Sequence, residues 1–255
     1  MMENNMPNWW KSIPPVTRTI IIVCVLVWIV EMIVPKIGYS FQNHLALHYW
    51  GASKFSPGQL FTYMFLHDTS NPIHLLFNMF TLWMFGRLME NVWGSRRFLI
   101  YFLVCGIGAA VVQEIVWGLS WQGEFTGLLA QANQVSAAEM QQFIDKAAAA
   151  GDMELAGSIE TFKNSLVCIG ASGAIFGILL GFAFVFPNMP LYLFFIPIPI
   201  KAKYMVLGYA VLEFFLGVSG GGTVAHFAHL GGMLFGIVLL LWWKRNGTLR
   251  GGRFY

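Results

Sequence analysis

Residues 170–186 read Gly-Ala-Ser-Gly-Ala-Ile-Phe-Gly-Ile-Leu-Leu-Gly-Phe-Ala-Phe-Val-Phe, an apolar run with a single hydroxyl, that of Ser172. Gly173, Gly177 and Gly181 recur every four residues, which puts them on one face of a helix. Small residues at that spacing let membrane helices approach backbone to backbone. A second apolar run, Ala225–Trp243, carries Ala225, Gly232 and Gly236 in the same manner, with His229 between them. The two small-residue faces are expected to meet, which brings Ser172 towards His229.

The rest of the chain supports a membrane setting. Of 255 residues, 57% are hydrophobic and only 11% charged, against roughly 25% charged in an ordinary soluble protein. A hydrocarbon core of ~30 Å takes ~20 helical residues to cross. Six runs qualify as candidate spans, with the first, fourth and fifth short: Thr19–Val34, Ile73–Met89, Phe98–Leu119, Ala171–Phe186, Tyr204–Val218 and Ala225–Trp243. With the N-terminus in the cytoplasm, eleven of the fifteen Lys and Arg residues fall on the cytoplasmic side, leaving Lys36, Lys54, Lys146 and Lys163 outside. That asymmetry fits the positive-inside rule; five or seven spans would scramble it. Met1–Lys11 is polar and no small-residue cleavage site follows the first run, so that run is expected to remain as a helix. Trp9, Trp10, Trp242 and Trp243 read as interface anchors.

Three connections differ in character. Pro35–Pro72 is long and half apolar (Trp50, Phe55, Leu60, Phe61, Phe65), as if lying in the membrane interface. Ser120–Asn164 is polar, alanine-rich and net acidic, and reads as short helices outside the membrane. Gly217–Thr223 lacks an anchoring side chain and is expected to be mobile. Cys24, Cys105 and Cys168 lie in or beside apolar runs without a CxxC pair, the pattern of buried apolar filling.

Polar groups inside spans are costly and need a reason. Arg87, Pro187 and Trp243 mark the cytoplasmic edge. His74, Ser172 and His229 then stand 13, 15 and 14 residues from it, at depths of roughly 20, 22 and 21 Å. A serine hydroxyl becomes a nucleophile when a histidine within hydrogen-bond reach takes its proton. Ser172 begins its helix, where unpaired backbone N–H groups can face a reacting carbonyl. His74 and Asn78 share a helix face and can add donors to the same oxyanion. No acidic residue adjoins His229 in the sequence, which favours a Ser–His dyad over a triad. His226 lies on a neighbouring face nearer the outer edge and reads as structural or water-exposed. Glu31 and Glu114 read as reaching water at outer helix ends, Glu213 as a hydrogen bond to a neighbouring helix, and Glu90 as a loop cap.

The combined pattern resembles the rhomboid family of intramembrane serine proteases. The matching stretches are His74-Leu75-Leu76-Phe77-Asn78, Glu90 with Gly94-Ser95, Gly170-Ala171-Ser172-Gly173, and Ala228-His229 with Gly232 and Gly236. The resemblance implies an all-α, six-transmembrane-helix bundle with a long interfacial first loop, one domain over residues 1–255 with residues 120–164 as an extramembrane insertion. It implies Ser172 as nucleophile, His229 as general base, and His74, Asn78 and the Ser172 amide as oxyanion donors. Gly170 and Gly173 support the turn, and Phe176 takes the position that stacks on the catalytic imidazole. The fifth span and the Gly217–Thr223 cap would gate entry of the substrate, a transmembrane segment of another protein. Many rhomboids carry a Trp-Arg pair before a Thr-x-x-Phe-x-His stretch; here Thr62, Phe65 and His67 are present but Gly58 and Gln59 replace the pair.

This reading needs no cofactor, metal or nucleic acid, and leaves the oligomeric state open. The compact form points to a bacterial cytoplasmic membrane with both termini inside. A zinc protease would need a His-Glu-x-x-His helix, which the sequence lacks, and a transporter would show two related halves. The remaining alternative is an inactive rhomboid-like protein that holds client helices without cutting them.

Overall fold

The computed structural model describes residues 12–34, 40–193, 196–219 and 225–248. Trp9, Trp10, Lys11, Lys36, Arg250 and Arg253, and residues 220–223 of the glycine-rich cap, lie outside them. Two prolines start the first long helices, α1 (Pro15–Ile33) and the helix that opens at Pro72. Proline's fixed φ suits the first turn, and its missing N–H would have had no partner there.

Between them runs a folded loop: α2 (Phe41–Leu45), β1 (Leu47–His48), α3 (Gln59–Thr62) and a 3-10 turn at Tyr63–Phe65. Gln59, at one of the positions where the Trp-Arg pair is missing, is itself an anchor. Its Oε1 accepts from His48 N at 3.2 Å, and its Nε2 donates to Lys54 O at 2.9 Å and His44 O at 3.3 Å. Glu31 and Glu114 do not reach water as expected; both are buried under this loop. Glu114 Oε2 accepts from Trp50 N at 2.7 Å and Glu31 Oε2 from His67 N at 3.4 Å. Loop backbone has N–H groups to satisfy, and these carboxylates meet two of them.

The second run is one continuous helical path: α4 (Pro72–Thr81), a π turn (Leu82–Gly86) and α5 (Arg87–Trp93). Glu90 ties its end to the start of α1. It accepts from Val16 N at 2.9 Å, from Thr17 N and Thr17 Oγ1 at 2.7 Å each, and from Ser95 Oγ at 2.7 Å. The expected cap is therefore for a helix terminus, where N–H groups have no internal acceptor. Glu90→Ala leaves those buried donors unpaired, and thermal unfolding in detergent should show a loss of about 1–3 kcal/mol. An unchanged transition would show that the tie contributes nothing.

Helix α6 (Ser95–Asn133) is longer than expected. It does not stop near Leu119 but runs 39 residues, roughly 58 Å. Trp121, Phe125 and Leu129 continue an apolar four-residue spacing through the polar stretch and pack on α7 (Ala137–Ala149) and α8 (Met153–Ser165). A Ser136–Glu139 capping box starts α7, and Asp152 caps α8. Helix α8 also grips the first loop: Glu160 Oε1 accepts from Ser53 N at 2.7 Å and Asn164 Oδ1 from Lys54 N at 3.1 Å.

The remaining elements are β2 (Val167–Cys168), α9 (Ser172–Val185), β3 (Pro190–Leu193), β4 (Ile196–Lys201), α10 (Ala202–Val218) and α11 (His226–Arg245). Strictly all-α is therefore a correction: β1 pairs antiparallel with β2, and β3 with β4. The Ile-Pro-Ile-Pro-Ile alternation explains β4, because the residue before each proline is held out of the helical region and the prolines themselves lack the N–H that a helix interior needs.

By length and composition α1, α6 and α11 can each cross a membrane, and α9 is a shorter apolar helix. Helices α6, α9 and α11 form the centre. Tyr101 OH donates to Gly177 O at 2.9 Å, and a Cβ on Gly177 would lie 2.5 Å from Cys105 Sγ and 3.0 Å from Gly232 O. Cys24, Cys105 and Cys168 are all buried filling. Of the expected anchors in α11, Trp242 is exposed, but Trp243 is in the core against Trp93 and Tyr101. Helical spacing turns adjacent residues to different faces.

Candidate active site

The turn before α9 sets the site. Gly170 has φ +117, a conformation side chains rarely adopt, and a Cβ there would lie 3.0 Å from His74 Nε2. Its N–H donates to Tyr63 O at 3.0 Å, which ties the turn to the first loop. Ser172 follows as the first residue of α9. Gly173 faces α6 and α11, where a Cβ would come 2.5 Å from Ala109 Cβ.

Helix α11 brings His229 to this turn. Ser172 Oγ and His229 Nε2 are 2.9 Å apart, within hydrogen-bond range. Phe176, one turn along α9, stacks on the imidazole with centroids 4.2 Å apart and planes 6° from parallel. Stacking fixes the plane of the ring and covers one of its faces.

His74 comes from α4. Asp68 N–H approaches His74 Nδ1 at 3.5 Å. A ring nitrogen that accepts carries no proton, so this tautomer has its N–H on Nε2, the atom facing Gly170. Asn78 is buried one turn further along, with Nδ2 donating to His74 O at 2.8 Å. An amide nitrogen has two hydrogens, so one is left to point elsewhere. Outside the helices, burial first, and His74 second, push the His67 imidazole down to about 4. His67 is thus neutral at physiological pH beside His74, whose ring centroid is 5.3 Å away.

Ser172 and Asn78 are polar groups at the wall of an apolar cavity of about 570 Å³ between α4, α9 and α10. Phe77, Met84, Ile175, Leu179, Met205 and Tyr209 supply much of the rest of its lining. Such a cavity can take an extended apolar peptide past the hydroxyl.

One neighbour departs from the sequence reading. The absence of an acidic residue near His229 holds along the chain but not in space. Glu213 on α10 places Oε2 3.0 Å from His229 Nδ1 and 2.6 Å from His226 Nδ1. The expected helix-to-helix hydrogen bond of Glu213 is the second of these. His226 is accordingly buried and partnered, not water-exposed. The signal for Glu213 was present as a carboxylate deep in an apolar run. Its proximity to His229 depends on how α10 is rotated, which local sequence does not set.

Comparison with known proteins adds an independent line. A profile of the Rhomboid domain matches residues 54–245. "Rhomboid-like protein 15" of Arabidopsis thaliana is 25% identical over 125 residues, 49% of this chain and 30% of that protein. "Rhomboid protease GlpG" of Salmonella choleraesuis (strain SC-B67) is 29% identical over 115 residues, 45% of this chain and 40% of that protein. The matches thus span well under half the length of these relatives.

Proposed function

The chain belongs to the rhomboid family and is an integral membrane protein, and from that premise we propose that it is an intramembrane serine endopeptidase. Its substrates are transmembrane segments of other membrane proteins. The 2.9 Å approach of Ser172 Oγ to His229 Nε2 at the wall of an apolar cavity carries this reading.

Ser172 Oγ attacks the scissile carbonyl carbon as His229 Nε2 takes its proton. The oxyanion that forms lies near the Ser172 N–H, His74 Nε2–H and the second hydrogen of Asn78 Nδ2. His229 then protonates the leaving amine, and water hydrolyses the acyl-enzyme with His229 again as base. Gly170 and Gly173 keep the turn tight, and Phe176 holds the ring. The reaction needs no metal or cofactor.

Six helical paths cross the bilayer in this reading: α1, α4–α5, α6, α9, α10 and α11. Their exposed apolar residues, such as Leu26 and Ile33 on α1 and Leu207 and Phe215 on α10, face lipid. The first loop lies in the outer interface with Trp50 and Phe61 exposed, and residues 120–164 form a cap outside the membrane. Both termini are cytoplasmic, in a bacterial inner membrane. Substrate enters beside α10.

A single-span test protein in liposomes checks the activity. Cleavage by the wild type supports the protease; binding without cleavage favours the client-holding alternative. Asn78→Ala should lower kcat by ~10²–10³-fold with KM little changed. An unaltered kcat would remove Asn78 from the oxyanion site.

A further inference from the structure

We infer that Glu213 is a positioning residue for His229, so that the site works as a Ser172–His229–Glu213 relay braced by His226. The inference rests on the proteolytic reading above and adds a third member to the dyad.

A carboxylate within an apolar helix bundle is costly to keep and usually has a defined partner. The Glu213 side chain is only 12% exposed, and one of its oxygens sits between two imidazoles carried on successive turns of α11. For His229 Nε2 to accept the Ser172 proton, the ring must carry its own hydrogen on Nδ1. Stacking on Phe176 fixes the ring plane. It does not decide which nitrogen is protonated. An acceptor beside Nδ1 does decide it, and among the described residues Glu213 Oε2 holds that place at 3.0 Å.

The two contacts are unequal. That to His226 is a short hydrogen bond at 2.6 Å, whereas the His229 N–H does not point squarely at the oxygen. His226 is therefore the strut that fixes the carboxylate, and His229 meets it obliquely. The attraction grows when His229 gains the serine proton, because an imidazolium then faces a carboxylate across 3.0 Å. That is differential stabilisation of the charged state, the role of the acid in Ser–His–Asp/Glu sites. An aligned acid of this kind is worth ~10⁴-fold in kcat. An oblique one should give less, about 10²-fold.

The test compares wild type with Glu213→Gln and Glu213→Asp in liposomes at one neutral pH. Glu213→Gln should lower kcat about 10²-fold with KM and thermal unfolding little changed, and Glu213→Asp should restore part of the loss. Histidine-selective ¹⁵N NMR on inactive Ser172→Ala supplies a readout that needs no cleavage. His229 should be protonated on Nδ1, and adding Glu213→Gln should mix its tautomers. Unchanged kcat or an unchanged tautomer overturns the inference. A tautomer that responds in a protein that cuts nothing would instead overturn the proteolytic reading alone.

Two imidazoles and a carboxylate within 4.8 Å of one another also resemble a metal-ligand set. Activity that is lost on chelation and regained with zinc would replace positioning by a metal site.

Discussion

Ser172→Ala should fold as the wild type does and lose cleavage by at least ~10⁴-fold. The hydroxyl contributes one hydrogen bond, to His229, at the first residue of α9. Alanine at that position keeps the helix and removes only the hydroxyl. His229→Ala should be equally severe, since in the proposed mechanism the two act as a unit and losing either stops proton transfer. His226→Ala should retain far more activity, because His226 meets Glu213 and the edge of the His229 ring, whereas His229 Nε2 holds the place beside Ser172 Oγ. Cleavage can be followed by gel with a single-span protein in liposomes, and folding by thermal unfolding. If His226→Ala abolished cleavage while His229→Ala preserved it, the base would be His226.

Gly232→Ala should misassemble the bundle, at a cost of about 3 kcal/mol, the upper end of the usual range for overpacking. A Cβ on Gly232 would overlap the carbonyl of Gly173, so the obstruction is backbone and cannot rotate away. Helices α9 and α11 can relieve it only by moving apart. Gly173 is bonded to Ser172, so that movement also opens the contact between Ser172 and His229. Reduced yield, a lower unfolding temperature and lost activity should therefore appear together. Gly127→Ala on α6 is the control: nothing lies within 4 Å of its added carbon, and its stability should hold or rise slightly. Equal stability of Gly232→Ala and wild type would mean that the two helices do not touch at this point.

The close approach of α9 and α11 was legible in the sequence because it is written locally. Gly173, Gly177 and Gly181 mark one helix face, and the residues around His229 mark another. The membrane-length helices α1, α6 and α11 were legible for the same reason, since bilayer thickness sets the length such a run needs. Three features were not. The continuation of α6 past Leu119 depends on α7 and α8 covering Phe125 and Ala130, a contact between separate helices. Glu31 and Glu114 look like surface carboxylates until the first loop folds over them. Glu213 lies on a helix with apolar residues all round, so periodicity cannot say which neighbour it faces. Its partners, His226 and His229, became visible only once α10 was set against α11.

The most direct measurement is to label the protein in liposomes with a serine-reactive fluorophosphonate or isocoumarin and map the modified residue by peptide mass spectrometry. Modification of Ser172 in the wild type, lost in His229→Ala, is the result predicted here. A label carried on any other residue, or no label on a protein that still cleaves, would contradict it.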